Sequence, residues 1–173
     1  LSEIRFLSCR EHSGGQLIER ITGRTAQLVL DPTFLIDKNK WIGIAPLSQK
    51  NENPYILCYL FEPMTDNFYS ELQSIALEHD LDIRLIPFGF EKYSTKNDWN
   101  VVYGPIEFIS AFAGSKFVVT NSYHGLIFSL IFNKPFCVPL RKKGGYWVQF
   151  EDRLISILDI LGIRTRLIDY DVP

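Results

Sequence analysis

FVVTNSYHGLIFSLIFNKPFCVP, residues 117–139, is the stretch that decides the fold. Phe117-Val118-Val119 is a short aromatic and β-branched run of the kind found in buried parallel strands. Thr120-Asn121-Ser122 carries turn and N-cap chemistry. Leu126, Ile127, Leu130 and Ile131 then recur at helical spacing, and Phe136-Cys137-Val138 opens another strand. The order is therefore strand, tight turn, helix, strand. His124, one of three histidines, stands at the join. A helix that begins at a strand end leaves backbone N–H groups unpaired beyond the sheet, and anions bind there.

The same alternation extends in both directions. Residues 55–61 predict a strand, 67–79 a helix capped by Asp66, and 83–87 another strand. The helix places Phe68, Leu72, Ile75 and Ala76 on one apolar face. A helix over 106–113 has Pro105 at its first position, and one over 151–161 is closed by Gly162. Leu167-Ile168 adds a last short strand. Upstream, 4–9 and 26–30 predict strands, 10–15 a polar turn, and 16–22 a helix stopped by Gly23. Residues 33–54 carry no clear period, and 49–53 read as a linker. Strands alternating with helices make this an α/β chain, a parallel sheet with helices on both faces.

The totals narrow the partners. The chain has 173 residues, 46% hydrophobic and 22% charged, enough for a sizeable core. A net charge of −2 makes no electrostatic case for nucleic acid. No apolar run reaches bilayer length, and the first ten residues do not form a signal peptide. Cys9, Cys58 and Cys137 lack metal-ligand spacing and suit reduced core thiols in a cytoplasmic protein. No His/Asp/Glu spacing suggests a metal site, and no Gly-rich dinucleotide fingerprint occurs. The start at Leu1 suggests a fragment.

Several ordered motifs resemble the polysaccharide pyruvyl transferase family. They are Val119-Thr120-Asn121-Ser122-Tyr123-His124-Gly125, then Phe128-Ser129 and Asn133-Lys134-Pro135-Phe136. Ser8-Cys9-Arg10-Glu11, Leu30-Asp31-Pro32-Thr33, Gly104-Pro105 with Glu107-Phe108, and Asp152-Arg153-Leu154 agree in order. The resemblance implies two Rossmann-like domains with a site in the cleft, as in one large class of glycosyltransferases. Residues 1–53 would be the end of the first domain and the crossing segment, and 54–173 the C-terminal Rossmann-like domain. It also implies transfer of a pyruvyl group from phosphoenolpyruvate, without a separate cofactor, to a glycan or lipid-linked sugar. A lipid-linked acceptor would bring the protein to a membrane surface peripherally.

The reaction needs an anion holder, a proton donor to the enol carbon and a base for the attacking hydroxyl. His124 at the strand end is the candidate for the proton work; a merely structural histidine is the plainer reading. Asn121, Ser122 and Gly125 are candidates for holding phosphate or substrate, although Ser122 serves equally well as an ordinary N-cap. Arg10, from the family's Arg-Glu pair, would suit a carboxylate or phosphate; by its residues alone it suits a surface ion pair. Arg141 and Lys142, with Lys143, follow the strand after the central helix and suit an anion clamp or an ordinary solvated loop. Tyr103, Tyr146 and Trp147 suit sugar stacking or packing. Asp31 and Asp37 read as hinge and cap residues.

The motif also departs from the pattern. Some family members carry Arg-Leu-His where this chain has Ser122-Tyr123-His124. There the arginine is expected to hold phosphoenolpyruvate, so here the charge must come from Arg10, Arg141, Lys142 or the other domain. That departure keeps two alternatives open: a nucleotide-sugar-dependent glycosyltransferase on the same architecture, and a non-catalytic glycan-binding module.

Overall fold

The structure is a computed structural model that describes residues 3–45, 53–61, 64–86, 104–139 and 151–168. Its centre is a five-stranded parallel sheet. The strands are β3 (Tyr55–Tyr59), β4 (Asp82–Leu85), β5 (Phe117–Thr120), β6 (Phe136–Pro139) and β7 (Leu167–Ile168), in the order β4-β3-β5-β6-β7. Cys58 pairs with Val119, which pairs in turn with Cys137, so β3, β5 and β6 run in register through the middle. Helices α3 (Asp66–Glu78), α4 (Pro105–Gly114), α5 (Tyr123–Ile131) and α6 (Glu151–Ile160) alternate with these strands. This is a Rossmann-like α/β arrangement.

Alternate residues along each strand feed two cores. Tyr55, Leu57, Val118, Phe136 and Val138 point to the face that α4, α5 and α6 cover, where Phe112, Leu126, Ile127 and Leu158 are buried. Ile56, Cys58, Val119 and Leu85 point to the other face, against Leu72 and Ala76 of α3. Burial on both faces explains why these strands read as continuous apolar runs. The three cysteines are all free, and burial pushes the Cys137 thiol up to about 12.

The upstream residues form a smaller unit. β1 (Ser8–Cys9) and β2 (Gln27–Leu28) pair in parallel, with α1 (His12–Thr22) between them. The strands expected over 4–9 and 26–30 thus shrink to two residues each. The Arg24 guanidinium occupies the Ile4 and Arg5 carbonyls at 2.6 and 2.9 Å, and Phe6 is 80% exposed. The polar turn expected over 10–15 belongs largely to α1, whose Gly15 N–H already bonds to Glu11 O. Gly23 closes α1 in the left-handed region at φ +68°, as its position predicts.

Residues 33–54, expected to be irregular, hold a 3₁₀ turn (Pro32–Leu35) and helix α2 (Lys38–Ile44). Asp37 caps α2 by accepting from Asn39 and Lys40 N–H, and Trp41 and Ile42 pack on the larger core. Seven residues are too few to show a helical period. In α3 the cap is Thr65, not Asp66: Thr65 Oγ1 accepts from Phe68 N–H, and Asp66 sits in the first turn. Ile75, expected on the apolar face of α3, is half exposed.

Candidate functional site

The sheet order changes direction at β3, whose neighbours lead by α3 to β4 and, on its other side, to β5. Crevices form outside the carboxyl ends of strands at such a switch point. Here those ends are Tyr59–Phe61 and the turn at 121–122, and side chains tie them together. Thr120 Oγ1 donates to Tyr59 O at 2.6 Å and accepts from Ser122 N–H at 3.1 Å. Asn121 Oδ1 accepts from Phe61 N–H at 2.8 Å. Ser122 caps α5 by accepting from Gly125 N–H at 3.4 Å.

Gly125 has a steric reason to be glycine. A Cβ there would lie 2.3 Å from Thr120 Oγ1 and 3.0 Å from Thr120 Cβ. The first turn of α5 therefore rests directly on the end of β5. Its first intrahelical bond runs from Leu126 N–H to Ser122 O, so the Tyr123 and His124 N–H groups precede the helical ladder.

The sequence candidates separate clearly. Asn121 and Ser122 are both 2% exposed and turned into the framework, whereas His124 beside them is exposed. Its imidazole meets the Tyr123 ring edge-on at 5.7 Å between centroids. Arg10 comes to the same place from the end of β1, its guanidinium 5.3 Å from the Tyr123 ring centroid. Arg141 and Lys142, and likewise Lys143, Tyr103, Tyr146 and Trp147, lie outside the described residues.

Sequence reading missed three contributors. Asp31, read as a hinge residue, is buried and forms an ion pair and hydrogen bond with Arg10 Nη1. Its other oxygen accepts from the Thr33 N–H at 2.9 Å and the Thr33 hydroxyl at 2.6 Å. Burial opposes its charge, but the Thr33 bonds and Arg10 outweigh that and hold its carboxyl below the usual range. Tyr123 is buried, which raises its phenol; Asp31 adds to the rise, and Arg10 and Arg153 oppose it. Arg153, on the first turn of α6, places its guanidinium 5.8 Å from the same ring. A buried tyrosine next to a candidate histidine was the signal available for this cluster.

A cavity of about 150 Å³ opens beside the start of α5. Arg10 and Tyr123 form its polar side, and Leu28, Val29, Leu30, Ile157 and Ile160 the rest. Among the described residues no group of His, Cys, Asp and Glu could hold a metal ion, and no helix is long and apolar enough to cross a membrane. The family model described as polysaccharide pyruvyl transferase matches residues 1–138. No curated protein and no solved structure matches the chain.

Proposed function

This chain belongs to the polysaccharide pyruvyl transferase family, and we propose on that footing that it transfers a pyruvyl group from phosphoenolpyruvate to sugar hydroxyls in cell-surface or exopolysaccharide biosynthesis. One observation carries the reading beyond the family match. In a turn whose other polar side chains serve the framework, His124 alone stands exposed, at the start of the helix that follows the central strand.

His124 donates a proton to the methylene carbon of phosphoenolpyruvate, which becomes a methyl group. The electron pair of the alkene forms that C–H bond and leaves an oxocarbenium-like centre at the neighbouring carbon. An acceptor hydroxyl attacks this centre and returns a proton to the imidazole. A second hydroxyl displaces phosphate, which leaves with the remaining proton, and the ketal closes. The sequence is redox-neutral, so it calls for no electron-carrying cofactor.

Arg10 and the Tyr123 and His124 N–H groups face the anionic donor, and Arg141 and Lys142 are assigned to the same task. Asn121, Ser122 and Gly125 hold the helix start in place and border the donor there. A sugar or lipid-linked sugar is the acceptor, met in the cytoplasm or at the inner membrane surface.

A ligand panel tests this reading. Phosphoenolpyruvate at about a hundredfold excess over its Kd should raise Tm by roughly 5–10 °C, and a nucleoside diphosphate should not. Stabilisation by the nucleoside diphosphate alone would replace this reading with a nucleotide-sugar glycosyltransferase.

A further inference from the structure

We propose that Arg10 and Arg153, gathered on the ring of Tyr123, form one composite anion site at the start of α5. The three residues are distant in sequence, and three separate elements deliver them. Arg10 follows β1, Tyr123 opens α5 and Arg153 lies in the first turn of α6. The two guanidinium carbons lie 5.3 and 5.8 Å from one ring centroid. Both distances are within the range at which an aromatic ring attracts a guanidinium.

Two contacts fix the approach of the arms. Asp31 holds Arg10 Nη1, and Ser13 Oγ donates to Asp152 Oδ2, which ties α6 to α1 one residue before Arg153. A guanidinium carries five N–H donors. Arg10 gives one to Asp31, and its side chain remains a third exposed. Asp31 and Glu11 both act electrostatically on the Tyr123 phenol. Their negative charges keep the arginine pair tolerable when no anion is present.

This arrangement accounts for the departure in the motif. Where Ser122 brings no charge, Tyr123 brings a ring, and the ring gathers two arginines from elsewhere. The ligand class is a carboxylate or a phosphate monoester. Identifying it with the donor's anionic end rests on the function proposed above; the anion site does not.

Calorimetric titration of the full chain with phosphoenolpyruvate, inorganic phosphate and pyruvate tests the site. Arg153→Gln should weaken binding of whichever anion the wild type takes by about tenfold or more, since charge-assisted hydrogen bonds are lost. Arg153→Lys should recover part of that loss. Tyr123→Leu should weaken binding clearly more than Tyr123→Phe, because the ring gathers the arginines. In turnover, the Arg153→Gln loss should fall mainly on KM, which a merely structural role would not single out. Thermal unfolding of each variant identifies loss of fold. Phosphate binding that depends on Arg153, without phosphoenolpyruvate binding, would uphold the site and remove the donor reading. Wild-type affinity for every anion bound, in a folded Arg153→Gln protein, would overturn the site.

Discussion

Two strand–helix junctions in this chain have similar local order and opposite surroundings. At the β5–α5 junction, Val118, Val119, Leu126 and Ile127 are all buried, and the strand has neighbours on both sides. At the β1–α1 junction the strand has one neighbour among the described residues, and Phe6, Leu17 and Ile21 are exposed. The first junction builds a rigid platform and leaves an imidazole standing on it. The second delivers Arg10 to that platform and braces it with Asp31. Rigidity and charge at the candidate site thus come from different parts of the chain.

The largest expected effect contrasts matched substitutions in the two regions. Leu126→Ala, which truncates a fully buried side chain in the first turn of α5, should cost about 3 kcal/mol in chemical denaturation. Leu28→Ala, on β2 and 37% exposed, should cost less than about 1 kcal/mol. Equal losses would break the contrast.

Gly125→Ala should come next, at about 2 kcal/mol, because its Cβ collides with Thr120 and must displace the helix start. Thr120→Ser in the same chain removes the methyl at 3.1 Å but keeps the oxygen at 2.3 Å, so it should restore little of that loss.

Asp31→Asn sharpens the other side of the comparison. The folded-state pKa of Asp31 lies below its unfolded value. Its stabilisation is therefore fully present above the unfolded pKa, near pH 4, and disappears as pH falls through the folded value. The wild type should exceed Asp31→Asn by about 1–2 kcal/mol at pH 7, with the gap closing as pH falls through the lowered folded-state pKa. A gap that persists in acid would mean that packing, rather than charge, makes the difference.

The same contrast explains what the sequence revealed. Burial on both faces imposes an apolar pattern, so β3, β5, β6 and the helices between them were legible within a residue or two. Ser122 was recognised as a cap because an N-cap is a local event. The Asp31–Arg10 pair and the Tyr123–Arg153 contact are not local. They join residues 21 and 30 positions apart, and no spacing rule connects them. The upstream strands were overread because apolar residues such as Ile4 and Phe6 imitate a core pattern while remaining exposed. Helix α2 escaped because its signal is one aspartate cap and two packed residues.

The most direct test of the account follows phosphate released from phosphoenolpyruvate, with and without a glycan diol, in wild-type protein and His124→Ala side by side. The account predicts acceptor-dependent release by the wild type, with the acceptor gaining a pyruvyl ketal. It predicts a rate lower by roughly 10²–10⁴-fold in His124→Ala, with Tm nearly unchanged. Release at the wild-type rate by the histidine variant would contradict it.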